Sequence, residues 1–255
     1  MVFTGLWPGN GAMGARPGPA FGGGSVSADG GHAIRADGGS AVCADCGSAV
    51  CADGGIAVCA DGDYIVCADG GYAICAAAGF RPAAVIGDFD SLSAELIDEI
   101  DALGVERVIY PSEKDDTDTM LCVKYGLERG FGRFLIIGGI GGDFGHTMAN
   151  LQVLSFLTDM KCEAEIMTGR ERVLMVGGEA AAPAPLVFTG RPGLRFSVLS
   201  YAERSSGVSI RNAKYELSDA ALTHSCPLGV SNECVNTDPV TVSVRYGRLL
   251  VIIDI

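Results

Sequence analysis

The hydrophobic pattern of the chain begins with an eight-residue repeat. Each octad contains three or four small or β-branched residues that favour a strand, followed by Asp and Gly, which favour a tight turn. Copies in register begin at Ser40, Ser48, Ile56 and Tyr64, and looser copies reach back to Ser25. Two interpretations are open: stacked octads form a small solenoid, or the octads are expanded copies of one useful unit with a poorly specified strand register.

Strand-like and helix-like patterns alternate after Gly71. The predicted elements are a short helix that stops at Gly79, the strand A-A-V-I-G, a helix capped by Ser93, the strand R-V-I-Y, a helix from D-T-D-T, the strand R-F-L-I-I and a helix from T-M-A-N. Strands and helices that alternate at this length predict a parallel sheet with crossover helices.

From about residue 165 the pattern changes to short alternating strands without a long helix. The strands are E-I-M-T, R-V-L-M-V, L-R-F-S-V-L-S and T-V-S-V-R-Y-G-R-L-L-V-I-I-D-I, with a hairpin turn predicted over 245–248. This pattern is typical of an antiparallel β-sandwich. The predicted organisation is a flexible Gly/Pro/Ala-rich segment over 1–24, octads over 25–63, an α/β domain over 64–165 and a β-sandwich over 166–255.

Composition and charge narrow the classes of partner. The chain has 255 residues and is 48% hydrophobic, which is enough for a substantial core. Its 31 acidic and 18 basic residues give a formal charge of -13, which argues against nucleic acid or an anionic membrane as a partner. No apolar run approaches the ~18 residues that span a bilayer, and no signal-peptide pattern is visible. We therefore predict a soluble, cytoplasmic protein.

Six of the ten cysteines belong to the octad region, where Cys takes the place of a small apolar residue. In a reducing compartment we expect them to remain thiols. Cys43 and Cys46 form a C-x-x-C pair, but no second pair follows at zinc-finger spacing, so the pattern does not favour a structural zinc site.

Acidic residues follow three successive predicted strands. Asp69 follows Y-I-V-C-A, Asp88 and Asp90 follow A-A-V-I-G, and Asp118 comes shortly after R-V-I-Y. Any one of these acids fits an ordinary turn or a helix cap. Because ligands bind at the carboxyl ends of strands in open α/β sheets, their convergence predicts a divalent cation, with magnesium shared with phosphate groups preferred.

A glycine-rich stretch, G-G-I-G-G-D-F-G-H-T, runs from Gly138 to Thr147 between a predicted strand and a predicted helix. Backbone N–H groups and a helix N-terminus at such a place suit a phosphate group. The stretch does not fit G-x-G-x-x-G and has no P-loop lysine, so a simple tight turn is the alternative.

Taken together, Y-I-V-C-A-D-G-G, V-I-G-D-F-D-S-L, K-D-D-T-D, G-G-I-G-G-D-F-G-H-T-M-A-N-L-Q and G-V-S-N-E resemble the motifs of the thiamine pyrophosphokinase family, in family order. The resemblance covers 63–255. It implies an α/β catalytic domain followed by a β-sandwich, assembled as a homodimer. It also implies transfer of the diphosphoryl group of ATP to the hydroxyl of thiamine, with release of AMP.

The resemblance also implies roles for individual residues. Asp69, Asp88, Asp90 and Asp118 would hold Mg²⁺ and the phosphates, with Asp88, Asp90 and Asp118 as the catalytic set. The other implied binding residues are Gly70 beside Asp69, Ser91 near the nucleotide, Lys114 and Thr117 at phosphate oxygens, His146, Thr147 and Asn150 along the glycine-rich loop, and Ser231 and Asn232 at thiamine. Plain helix caps, a solvated lysine and an ordinary β-turn are the alternatives.

The glycine-rich loop departs from the family pattern G-G-R-x-D-H, because Asp143 stands in place of Arg and Gly145 in place of Asp. A negative charge there weakens phosphate binding unless a base such as Lys114 or Arg133 compensates. Two alternatives to the active enzyme are therefore open: a degenerate relative that binds without turnover, and an interaction protein that uses the octads. Only the octad at Tyr64 precedes a predicted helix and G-D-F-D-S, so Asp69 is the functional candidate among its copies.

Overall fold

The structure is a computed structural model of the chain, and it describes residues 33–36, 40–43, 48–50, 56–58, 64–141, 143–178 and 184–255. From residue 30 onward the chain divides into two compact units. The first unit comprises Gly30–Leu154 and Lys161–Arg170, and the second comprises Ser155–Met160 and Glu171–Ile255.

Four octads each contribute one short strand. These are β1 (Ala33–Ala36), β2 (Ser40–Cys43), β3 (Ser48–Val50) and β4 (Ile56–Val58). Neighbouring strands pair antiparallel in the order β1-β2-β3-β4. A solenoid stacks parallel coils, so the antiparallel meander contradicts the solenoid interpretation of these octads.

The strand–helix alternation predicted after Gly71 is present. The elements are β5 (Val66–Ala68), α1 (Gly71–Ala77), β6 (Ala84–Gly87), α2 (Ala94–Ala102), β7 (Glu106–Ile109) and α3 (Asp118–Glu128). The three strands pair in parallel in the order β5-β6-β7, as the crossover helices require. Ser93 and Thr117 cap α2 and α3, since their side chains accept hydrogen bonds from the N–H groups of Leu96 and Met120.

A second parallel pair follows in the same unit. It consists of β8 (Arg133–Ile137), α4 (Phe144–Asp159) and β9 (Glu163–Met167), with β8 and β9 parallel over five residue pairs. The prediction that E-I-M-T is the first strand of the antiparallel part is therefore wrong. Because α4 returns the chain to the same edge at which β8 began, the next strand runs parallel to β8.

The second unit contains two antiparallel sheets. Its strands are β10 (Glu171–Gly178), β11 (Leu186–Phe188), β12 (Arg195–Ser200), β13 (Arg204–Arg211), β14 (Leu217–Thr223), β15 (Asn232–Glu233), β16 (Val240–Ser243) and β17 (Gly247–Asp254). One sheet has the order β15-β12-β17-β10 and the other has the order β11-β16-β13-β14. Side chains of both sheets form one apolar core, in which the rings of Phe188 and Phe196 meet edge to face at 5.2 Å.

The predicted hairpin over 245–248 is wrong. The strands β16 and β17 lie in different sheets, so the chain crosses between sheets at this point. Val240 and Val242 from one strand and Leu249 and Val251 from the other are all fully buried in the same core. The buried side chains of β16 and those of β17 therefore face each other across the core. If the two strands paired directly, these side chains would lie side by side in one sheet.

No helix of the described part is long and apolar enough to cross a membrane. Six cysteines in the described part of the chain have free thiols: Cys67, Cys75, Cys122, Cys162, Cys226 and Cys234. The segment predicted to be flexible, over 1–24, lies outside the described residues.

Candidate active site at the carboxyl ends of the parallel strands

Three carboxylates meet at the ends of β5 and β6. Parallel pairing places Ala68 beside Ile86, and the N–H of Asp69 extends the ladder with a hydrogen bond of 2.9 Å to the carbonyl of Ile86. Asp88 and Asp90 follow β6 directly. Each of Asp69, Asp88 and Asp90 offers one oxygen atom, and these atoms lie within 4.8 Å of one another. The predicted convergence of these three acids is therefore present in the structure.

Asp69 is the buried member of the group, with 7% of its surface exposed. Its backbone has φ of 35°, which is uncommon for a residue with a side chain. Its Oδ2 accepts a hydrogen bond from Ser91 Oγ, whereas its Oδ1 is buried and has no hydrogen-bond partner among the described residues. A buried carboxylate oxygen without a partner is costly, and a bound cation would satisfy it.

The carboxylates and their neighbours shift the pKa values of Asp88 and Asp90. A hydrogen bond with Asp88 and its negative charge raise the pKa of Asp90, and the charges of Asp69 and Asp118 add to this rise. Hydrogen bonds from Ser112 and from the N–H of Asp90 lower the pKa of Asp88, and the charge of Lys114 contributes. The site thus gathers more negative charge than its own groups neutralise, which favours a divalent cation with oxygen ligands.

Lys114 lies between two of the predicted acids. Its Nζ is 3.1 Å from Asp118 Oδ1 and 3.7 Å from Asp88 Oδ2, and its side chain is only 13% exposed. Burial alone would lower the pKa of Lys114, but hydrogen bonding to Asp118 and the charges of both acids raise it. Asp118 does not belong to the three-carboxylate group and is held by this ammonium group instead. The solvated-lysine alternative for Lys114 does not fit this geometry.

Two side chains of α4 form hydrogen bonds to the backbone of the glycine-rich loop. Gly138, Gly139 and Gly141 all have positive φ, and Asn150 Nδ2 donates a hydrogen bond of 2.8 Å to the carbonyl of Gly139. Thr147 Oγ1 accepts from the N–H of Gly141 at 3.2 Å. The predicted residues Asn150 and Thr147 therefore contact this loop through its backbone.

A cavity of about 320 Å³ lies between this loop and the acids. Its lining residues are Ala68, Asp69, Gly70, Thr117, Asp118, Thr119, Gly139, Ile140, Gly141, His146 and Asn150. Six of these eleven residues are candidates predicted individually from the sequence, and Gly139, Ile140 and Gly141 belong to the predicted glycine-rich stretch. Ala68 and Thr119 were missed. Thr119 directly follows Asp118 in the first turn of α3, so its position in the K-D-D-T-D-T run was the available signal. Thr117 caps α3, as the helix-cap alternative predicts, and it also lines the cavity, where a contact with phosphate is predicted.

Asp143, which departs from the family pattern, caps α4. Its Oδ1 accepts from the N–H of His146 at 3.0 Å, and its carbonyl accepts from the N–H of Thr147 at 3.1 Å. A Cβ on Gly145 would lie 3.0 Å from this Oδ1, so the two departures suit each other sterically. Arg133 stands at the start of β8, at the opposite end from the loop, which rules it out as the compensating base. Lys114 is the basic residue that the structure places among the acids.

Two candidate residues belong to the second unit. Ser231 has φ of 61° and donates its N–H to Ser197 Oγ at 3.2 Å, which fits a turn. Asn232 is buried, and its Oδ1 accepts from the N–H groups of Tyr215 and Glu233 at 3.0 and 2.9 Å. Its Nδ2 donates to the carbonyl of Tyr215 at 2.8 Å. Asn232 therefore shapes this turn, and a ligand contact for either residue stays a prediction.

Two family domains match the chain. Residues 57–166 match the domain described as "Thiamin pyrophosphokinase, catalytic domain", and residues 192–249 match "Thiamin pyrophosphokinase, vitamin B1 binding domain". Thiamin pyrophosphokinase 1 of Caenorhabditis elegans is 28% identical over 159 residues, which are 60% of this chain and 62% of that protein. Thiamine pyrophosphokinase of Bacillus subtilis is 25% identical over 172 residues, which are 67% of this chain and 78% of that protein.

The fold is shared with solved structures. The crystal structure of thiamine pyrophosphokinase from Bacillus subtilis superposes with a TM-score of 0.66 and 23% identity, covering 74% of this chain and 86% of that chain. At this identity the likeness establishes the fold. It confirms the predicted fold class, a parallel α/β part followed by antiparallel β-sheets.

Proposed function

Because the chain belongs to the thiamin pyrophosphokinase family, we propose that it transfers the diphosphoryl group of ATP to the hydroxyl of thiamine, giving thiamine diphosphate and AMP. The observation that carries this proposal is the group formed by Asp69, Asp88 and Asp90, with the unsatisfied Asp69 Oδ1, beside the cavity in the part that matches the catalytic domain. The limits 64–165 for the catalytic domain and 166–255 for the thiamine-binding domain belong to the same proposal.

The three carboxylates would hold Mg²⁺. Oxygen ligands of this kind suit magnesium, which binds through one or two carboxylates together with substrate phosphates. When bound, the cation would neutralise charge on the phosphate oxygens. Asp118 and Lys114 stand at the edge of this group, where the ammonium of Lys114 supplies a positive charge for the phosphates and Asp118 orients it.

The phosphate groups would lie along the cavity between Thr117 and the glycine-rich loop. Thr147 and Asn150 keep the loop backbone in the conformation that opens the cavity, and His146 is part of its wall. Phosphoryl-type transfer depends mainly on positioning and charge neutralisation, so no covalent nucleophile of the protein is required. The thiamine oxygen forms a bond to the β-phosphorus as it loses its proton, and the bond from that phosphorus to the oxygen of AMP breaks.

Ser231 and Asn232 are our candidates for the part of the chain that meets thiamine. They lie within 192–249, the segment that matches the vitamin B1 binding domain. A homodimer and a cytoplasmic location complete the proposal, both carried over from the resemblance and the composition.

The deciding experiment measures AMP release from ATP and Mg²⁺ with and without thiamine, and identifies thiamine diphosphate as the product. Thiamine-dependent AMP would establish the activity and would show that Asp143 and Gly145 are compatible with turnover. Binding of ATP or thiamine without any AMP would instead identify a degenerate family member and refute the proposal.

A further inference from the structure

Ser91 contacts Asp69 although the two residues are 22 positions apart in sequence. Ser91 lies in the loop after β6, immediately after Asp90, and its Oγ donates a hydrogen bond to Asp69 Oδ2. The other oxygen of the same carboxylate, Oδ1, is buried and has no hydrogen-bond partner in the part of the chain that the structure describes. One oxygen of Asp69 is therefore held, and the other is left for a ligand.

The backbone leaves space for this pair at two glycines. A Cβ on Gly70 would lie 2.9 Å from Ser91 Oγ, and a Cβ on Gly87 would lie 2.7 Å from the Cβ of Asp69. Contacts this short are essentially absent between real side chains, so residues larger than glycine would displace the pair. Asp69 itself has a positive φ of 35°, a backbone conformation that is uncommon for a residue with a side chain. The orientation of this carboxylate thus depends on several separate features of the sequence.

We propose that Ser91 is a positioning residue, which holds Asp69 Oδ2 so that Asp69 Oδ1 is presented to a divalent cation shared with Asp88 and Asp90. The inference rests on the metal site of the proposed function and deepens it. Without the hydroxyl, the carboxylate loses its only described side-chain partner and is free to rotate about χ2. Removal of a hydrogen-bond partner that orients a metal ligand typically weakens metal binding about 10- to 100-fold.

The test measures Mn²⁺ binding to the full chain in the absence of nucleotide, from the electron paramagnetic resonance signal of the free ion. We expect Ser91→Ala to weaken Mn²⁺ binding about tenfold. Ser91→Thr keeps the hydroxyl and should bind within about twofold of the unchanged chain. Ser91→Ala in an Asp69→Asn background should cause no further loss, because the residue that Ser91 positions is then already altered.

Ser93→Ala is the matched control for a purely structural effect. Ser93 lies two residues away and caps α2 through the N–H of Leu96, but it has no described contact with Asp69. This variant should lower the melting temperature and leave Mn²⁺ binding unchanged.

The possible results distinguish a failure of the metal site from a failure of the role proposed for Ser91. If the unchanged chain binds no Mn²⁺, the metal site itself is refuted. If it binds and Ser91→Ala binds equally well, the metal site stands and the role of Ser91 is refuted. A loss that occurs only when ATP is present would place Ser91 at the nucleotide and would also overturn the inference.

Discussion

The octads that begin at Ser48 and Tyr64 end in the same six residues, V-C-A-D-G-G, but lie in different kinds of sheet. In the first, β3 pairs antiparallel with a strand on each side. In the second, β5 pairs in parallel with β6. Each octad contains a short strand, and the shared sequence does not determine the direction of the partner strand.

The residues after each octad account for the difference. Gly55 is followed by I-A-V, which forms another strand after a short connection, and short connections join antiparallel neighbours. Gly71 begins α1, whose Tyr72 and Cys75 are buried against the sheet. A helix returns the chain to the starting edge, so the next strand is parallel and its carboxyl end brings Asp88 to Asp69. The surroundings therefore bring Asp69 to Asp88 and Asp90, although its local sequence equals that of Asp53.

The largest expected effect comes from exchanging Asp for Asn in the two copies. Asp69→Asn removes a carboxylate from the proposed metal site, so we expect kcat for thiamine-dependent AMP release to fall more than about 100-fold. Asp53→Asn makes the same change in the same six residues and should stay within about twofold. Steady-state kinetics with saturating ATP and Mg²⁺ provide the measurement.

Asp88→Asn and Asp90→Asn extend this comparison to the neighbouring strand. Each should lose activity to a similar degree while its circular dichroism spectrum stays that of a folded protein. Full activity in both variants would show that the carboxylates do not hold the metal.

The space beside Asp69 provides the next prediction. Gly87→Ala would place a Cβ 2.7 Å from the Cβ of Asp69 and 3.3 Å from its Cα. Overpacking of this kind costs about 1–3 kcal/mol, so we expect a lower free energy of unfolding in urea without metal. Gly132→Ala is the control, because no atom lies within 4 Å of its added Cβ. It should change the free energy of unfolding by less than about 0.5 kcal/mol. Equal losses in both variants would contradict the close approach at Gly87.

The hydrophobic pattern predicted much of this fold. Periodicity located the helices, and the capping signal at Ser93 was right, because both depend on residues that are close in sequence. The parallel pairing of β9 and the sheet crossing at 245–248 were missed, since a strand's partner depends on the path of the whole chain. The same limit applies to the site. The acids could be predicted from strand ends, whereas the contact of Ser91 with Asp69 depends on how two loops meet.

Tyr72, the first residue after V-C-A-D-G-G in the octad that begins at Tyr64, provides a test of pH dependence. Burial, followed by its hydrogen bond to Glu99, raises the pKa of Tyr72 from 10.0 to about 12. Between these values the unfolded chain loses this proton while the folded chain keeps it, so Tyr72 lowers stability as the pH rises through that window. Tyr72→Phe lacks this group. At neutral pH, Tyr72→Phe should have a free energy of unfolding about 1 kcal/mol lower than that of the unchanged chain, because the hydrogen bond is lost. Near pH 11 this difference should shrink or reverse. Urea unfolding at both pH values provides the measurement. A difference that does not change with pH would show that Tyr72 titrates normally.

The smallest expected effect belongs to the upstream octads. If only the copy at Tyr64 carries chemistry, deletion of 25–55 should leave a folded protein whose kcat and KM for thiamine stay within about twofold, because every acid of the site lies downstream. The deletion removes Asp53 and keeps Asp69, so it repeats the Asp-to-Asn comparison at the level of whole segments. Loss of activity, with the circular dichroism spectrum otherwise preserved, would mean that the octads support the site directly. A deleted chain that keeps full activity but no longer binds a partner protein would instead assign the octads a separate interaction role.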